Sequence, residues 1–194
     1  MTMITLRRAV GATLFIAAAA LTGCAQVPLG TPVASVDNIQ KAKAVGMTKV
    51  NVGEFALAAG KDPKLDQSLA IRATSVVSPY DASFAKYLRE TLRVELQAAG
   101  LLDPASATTI RGSLTVSQVD AAMSQGTGSL ASRFIVVRAG KTVYDKELRV
   151  DATWESSFVG ATAIPAARNE YSGLYRKLVG LLLADPAFRA AVVP

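Results

Sequence analysis

The sequence has no histidine and a single cysteine in 194 residues. Without histidine, neither a Ser-His-Asp nor a Cys-His couple can be built, and the commonest metal ligand is gone. One thiol cannot close a disulfide within the chain or form a thiolate zinc site. The expectation is therefore no cofactor, no metal and no enzyme. Lys/Arg blocks longer than two residues are absent, as is any basic motif interleaved with aromatics, which argues against nucleic acid as a partner. The longest apolar stretch, residues 9–21, falls short of the ~20 needed to span a bilayer. Aromatics make up only 6% and charged residues 19%, but hydrophobic residues reach 51%, a balance that suits a folded domain rather than a disordered chain.

The formal net charge is +6. Arg7 and Arg8 account for two of those charges. From Cys24 onward 19 basic residues face 15 acidic ones, a surplus of +4 that reads as an ordinary solvated surface.

What is present begins with an address. "MTMITLRR" is a short positive segment, and "AVGATLFIAAAAL" follows as 13 residues with the length of a secretory signal core. Leu21-Thr22-Gly23-Cys24 closes it. These four residues resemble the lipobox of bacterial lipoproteins. The resemblance implies cleavage before Cys24, diacylglycerol joined to its thiol as a thioether, and an acylated amine. Two or three acyl chains give stable attachment where one is marginal. Ala25, in place of the Asp that favours inner-membrane retention, implies the outer membrane, with the protein facing the periplasm. The domain reading is a signal peptide at 1–23, a lipidated N-terminus and tether at 24–34, and one periplasmic α+β domain at 35–194.

Along that domain, "SVDNIQKAKAVG" reads as a short helix between Ser35 and Gly46. "KVNVGEFAL" reads as a strand bulged at Gly53, and "SLAIRATSV" as a second strand. "SPYDASFAKYLRETLRVELQAAG" predicts a long helix with Ser78 as cap and Gly100 as stop. Its apolar stripe is Phe84, Leu88, Leu92, Leu96 and Ala99, with Tyr87 beside it. "TIRGSLTVSQV", "ASRFIVVR" and "TVYDKELRVDATW" predict three strands. Ala139-Gly140 turns a hairpin between the last two, and "SQGTGSL" at 124–130 reads as another hairpin loop. In the return strand Leu148, Val150, Ala152 and Trp154 share one face, and Glu147, Arg149, Asp151 and Thr153 the other. The last helix carries Pro165 near its start, a stripe of Ala167, Tyr171, Leu174, Leu178, Leu181 and Leu182, and a break at Asp185-Pro186. The fold class that follows is α+β: a two-layer sandwich, with a mostly antiparallel sheet of four to five strands and two long helices on one face. The element order is β-α-β-β-β-α.

"SFAKYLRETLRVEL", "GKTVYDKELRVDATWESSFVGATAIPAARNEY" and "LLADPAF" are similar to uncharacterised lipoproteins of proteobacteria. In element order alone, the chain also resembles small periplasmic envelope-assembly lipoproteins, of the lipopolysaccharide-assembly and transporter-auxiliary types. Neither likeness supplies an activity.

The connection "WESSFVGATAIP" concentrates Trp154, Phe158, Val159 and Ile164 where polar residues are usual. These four either pack under the sheet or contact a partner or lipid. Glu155-Ser156-Ser157 with Lys177 is the nearest approach to a serine nucleophile, but adjacency in sequence carries no geometry. Arg133, Arg138 and Lys141 lie on or beside the central hairpin and could meet lipid phosphates or simply be solvated. The reading is an outer-membrane lipoprotein acting as a non-enzymatic accessory or binding module in envelope biogenesis. Its partners would be the membrane, through the anchor, and another envelope protein or a lipid. The alternative is an auxiliary that binds lipid or lipopolysaccharide during transport, and an envelope enzyme is a distant third.

Overall fold

The computed structural model describes residues 26–44 and 46–193. Leu21, Thr22, Gly23 and Cys24 lie outside the described residues. The elements run β1 (Gln26–Pro28), α1 (Val36–Ala44), β2 (Asn51–Leu57), α2 (Lys64–Gln67), β3 (Leu69–Ile71), β4 (Thr74–Val77), α3 (Phe84–Ala99), β5 (Thr108–Asp120), β6 (Ser124–Arg138), β7 (Lys141–Ser156), α4 (Gly160–Ala184) and α5 (Pro186–Val192). The main sheet has the order β2-β5-β6-β7, antiparallel except for the β2–β5 pair. Helices α3 and α4 pack on one face of it, and α1 lies across both. The α+β two-layer architecture expected from the sequence is the one observed.

The alternation in β7 explains the layering. Leu148 is buried and Val150, Ala152 and Trp154 pack against the core, while Glu147, Arg149, Asp151 and Thr153 are exposed. On β6, Phe134 and Val136 are buried and Arg133 is exposed. The other layer is the α3 stripe, where Phe84, Leu88, Leu92 and Leu96 are fully buried. In α4, Tyr171, Leu174, Leu178 and Leu182 are fully buried too. Leu181, expected on that stripe, is turned outward at 39% exposure. It lies one residue, about 100° of helix rotation, from Leu182.

One polar device ties the helices together and a second ties α4 to the sheet. The buried Glu95 accepts hydrogen bonds from the Ser35 N–H (2.9 Å) and the Asn38 side-chain amide (2.9 Å) at the start of α1, where the helix dipole favours negative charge. The Asn38 amide also donates to the Arg176 carbonyl on α4 (3.0 Å). Inside the core, the Tyr171 hydroxyl bonds Ser117 Oγ (2.5 Å) and the Tyr175 hydroxyl (2.6 Å). Burial pushes both tyrosine pKa values up, so both hydroxyls stay protonated and can donate.

The structure departs from the sequence reading in several places. The tether region contains β1, which pairs in parallel with β4, and Leu29 just beyond it is buried. The single strand expected at 68–76 is a tight hairpin, β3–β4, turned at Arg72 with φ of 52°, and it joins β1 in a separate three-stranded sheet. Helix α3 starts at Phe84 rather than just after Ser78, because Asp81 and Ala82 both take positive φ (50° and 51°). Ser83 is the cap, accepting from the Lys86 N–H, while Ser78 Oγ accepts from Tyr80 N–H in the preceding turn.

The stretch 124–130, expected as a hairpin loop, is the first half of β6. Its glycines are there for space. Gly126 pairs with Trp154, and a Cβ at Gly126 would fall inside the Trp154 indole. At Gly128 a Cβ would press on Leu174 at 3.0 Å. The expected features at Gly53, Gly100, Ala139-Gly140 and Asp185-Pro186 are all present. They are a bulge between Val52 and Phe55, a left-handed helix stop, a turn with both φ positive, and a capped break between α4 and α5.

Candidate functional site

Strand β7 ends at Ser156 and α4 begins at Gly160, so Ser157, Phe158 and Val159 turn the chain from sheet to helix. Their backbone is held firmly. The Arg72 guanidinium donates from Nη2 to the Ser157 carbonyl (2.6 Å), from Nη1 to the Phe158 carbonyl (3.0 Å) and from Nε to the Ala121 carbonyl (2.8 Å). Ser157 Oγ accepts the Val159 N–H (3.1 Å), and the Val159 carbonyl accepts from Thr162 and Ala163 to open α4. One arginine on the β3–β4 turn thus joins the β5–β6 and β7–α4 connections, matching its planar donor fork to several carbonyls at once.

The side chains on this fixed backbone point to water. Phe158 is 79% exposed and Val159 57%. Ser124 pairs with Ser156, so Met123, 63% exposed, is the next residue out on the neighbouring strand. Three of the seven large exposed hydrophobics among the described residues gather at this one end of the sandwich.

The four residues read as either packing under the sheet or contacting a partner therefore divide. Trp154 and Ile164 are half-buried and pack against the core. Phe158 and Val159 are exposed. Met123 and Arg72 complete the site and were not singled out from the sequence. Met123 is the one large apolar residue in a short turn, and the partners of Arg72 lie 49 to 86 residues away along the chain.

The other sequence candidates are brought to different ends. Ser157 Oγ is engaged with Val159, Ser156 Oγ faces Arg72 at 3.5 Å, and Lys177 stands 4.0 Å from Glu170 on its own helix. The structure does not bring Glu155, Ser156, Ser157 and Lys177 together as a nucleophile with its base. Arg133 forms a two-pronged pair with Asp145, which holds the Asp145 carboxyl below its usual range. Arg138 Nη2 donates to the Ala191 and Val193 carbonyls at the end of α5. Of the three basic residues singled out on the central hairpin, Arg133, Arg138 and Lys141, the first two are thus committed within the molecule.

A groove of about 650 Å³ lies outside the core between α1 and α4. Its lining includes Lys41, Val150, Arg176, Lys177 and Leu181. No described helix is long and apolar enough to cross a membrane.

No family model and no curated protein matches the chain. Among solved structures, a Xanthomonas campestris protein of the family of unknown function DUF330 has the same fold. Its TM-score is 0.53 at 13% identity, over 82% of this chain and 95% of that one. A minor lipoprotein from Acinetobacter baumannii is also similar, with a TM-score of 0.40 at 14% identity, over 75% of this chain and 91% of that one.

Proposed function

We propose that this chain is a lipoprotein of the bacterial envelope, fastened to the outer membrane through Cys24. Its α+β domain would work in the periplasm as a non-enzymatic accessory or binding module in envelope biogenesis. The observation that carries the reading is Leu21-Thr22-Gly23-Cys24 at the end of a leader of signal-peptide length. The start of β1 two residues beyond Cys24 supports it, because the anchor then leads directly into the folded part. The exposed Phe158, Val159 and Met123 support a contact role, since a stable backbone presents them without using them for packing.

Metabolic labelling with an alkyne fatty acid tests the anchor. Label is expected in the wild type and lost in Cys24→Ala. Equal labelling of both, or of neither, counts against the reading. In-cell crosslinking followed by identification of the adducts then tests the accessory role.

A second reading, capture of a lipid or lipopolysaccharide, draws on the groove between α1 and α4. Arg176 and Lys177 stand beside its apolar residues Val150, Leu181 and Ala184, a pattern suited to an amphipathic anion, while Lys41 there is paired with Asp37. It predicts lipid adducts from a crosslinker at Leu181, where the first reading predicts none.

A further inference from the structure

The path of β1 gives the end of the molecule at which the anchor lies. Gln26 is opposite Ser75 and Pro28 opposite Val77, in a parallel pair. Stepping back from Pro28 to Gln26 therefore moves from the far end of β4 toward its start beside the Arg72 turn. The α4 side agrees. Arg168 donates to the Pro28 carbonyl (3.0 Å), and the eight residues from Arg168 back to Gly160 lead about 12 Å toward Phe158. Only Ala25 separates Cys24 from Gln26, and two residue steps reach at most ~7 Å. The sulfur that would carry the acyl chains is thus tethered at the same end as Met123, Phe158 and Val159.

We propose that Met123, Phe158 and Val159 seat in the zwitterionic phospholipid surface to which the acylated Cys24 fastens the protein, fixing how the domain stands on the bilayer. The proposal rests on the lipoprotein reading. Three side chains offer at most a few hundred Å², well under the ~1,000 Å² of a specific protein interface, yet enough to enter a headgroup layer held within reach. Asp120 and Glu155 are exposed at this end, and the one arginine there is taken up by carbonyls. A surface of phosphatidylethanolamine suits that charge pattern better than an anionic one. The acyl chains supply attachment; the apolar tip supplies orientation. The Ala139-Gly140 turn then points away from the membrane, about 50 Å distant along the 16 residues of β7.

The test uses the full-length acylated protein in vesicles of phosphatidylethanolamine with a minor share of phosphatidylglycerol. Acylation occupies the only native thiol, so a single introduced cysteine can be labelled with an environment-sensitive dye. Variants Met123→Cys, Val159→Cys and Lys141→Cys are compared in vesicles whose lipids carry a nitroxide just below the glycerol. The expected result is quenching several-fold stronger at 123 and 159 than at 141, little changed by raising the phosphatidylglycerol share. Equal, weak quenching at all three sites in protein that floats with the vesicles overturns the proposal and leaves the lipoprotein reading standing. Protein that carries no acyl chain by mass and does not float overturns that reading, and the proposal falls with it. Thermal melting of each labelled variant confirms that the fold is intact.

Discussion

The two ends of the long β6–β7 hairpin are built on one plan and finished differently. Each has an arginine that gathers distant carbonyls. At the turn end Arg138 holds the end of α5, and at the open end Arg72 holds the β5–β6 and β7–α4 connections. At the turn end the large side chains brought in by α5 go inside. Phe188 and Val192 are fully buried, and Tyr144 packs edge-on against Phe188 at 5.7 Å. At the open end Phe158, Val159 and Met123 are left in water although the backbone beneath them is as well fixed. Burying a large apolar side chain is worth about 1.5–3 kcal/mol, so leaving three of them out forgoes stability that the other end uses. The difference is the one that the proposed membrane contact at the open end requires.

The largest effect should come from the core that both ends share. Phe134→Ala, which removes a fully buried ring packed edge-on against Phe55, should cost about 3–5 kcal/mol in urea unfolding. Gly126→Val should strike the open end alone. It should cost about 1–3 kcal/mol through overpacking and displace the indole above it. Trp154 is the only tryptophan, so a red shift of the intrinsic emission checks this directly. Arg72→Ala should cost about 1–3 kcal/mol by freeing the carbonyls it holds. Arg72→Gly, which relieves the positive φ, should be milder than Arg72→Ala if the turn matters as well as the clamp.

At the turn end, Asp185→Ala should cost about 1 kcal/mol, because Asp185 caps α5 and pairs with Lys146 at 2.6 Å. Burial raises the Asp185 pKa, but the hydrogen bonds from Lys146, Phe188 and Ala187 lower it further, so the net shift is downward. Its stabilisation is therefore complete above the unfolded value and fades as pH falls through the lower folded one, below pH ~4. A pH series of unfolding curves should show that acid loss reduced in Asp185→Ala. The smallest effect on stability belongs to Phe158→Asp, expected to stay within about 0.5 kcal/mol of wild type. A loss several times larger would place Phe158 with the packed residues and erase the contrast between the ends.

Features governed by neighbours in sequence were legible. The α3 stripe, the alternation of β7, the Gly53 bulge, the Ala139-Gly140 turn and the Asp185-Pro186 break each depend on residues within a few positions of one another. Features governed by distant partners were not. Gly126 and Gly128 resemble a loop until Trp154 and Leu174 lie over them. Residues 68–76 resemble one strand until Arg72 is needed at a turn. Ser78 resembles a cap until Asp81 and Ala82 turn the chain and Ser83 takes the role. At the candidate site, apolar residues in a connection were enough to point at the region. Separating Phe158 and Val159 from Trp154 and Ile164 required knowing which of them had a surface to pack on, and that is decided by β6 and the core rather than by the connection itself.

The contrast between the two ends is tested most directly by a photo-crosslinking residue placed at Phe158 or, in a second strain, at Lys141 of the full-length protein in cells. Abundant adducts at 158 and few at 141 are predicted, whether the captured molecule is lipid or protein. Equal yields at the two positions, or none at 158 in correctly folded protein, would contradict the account.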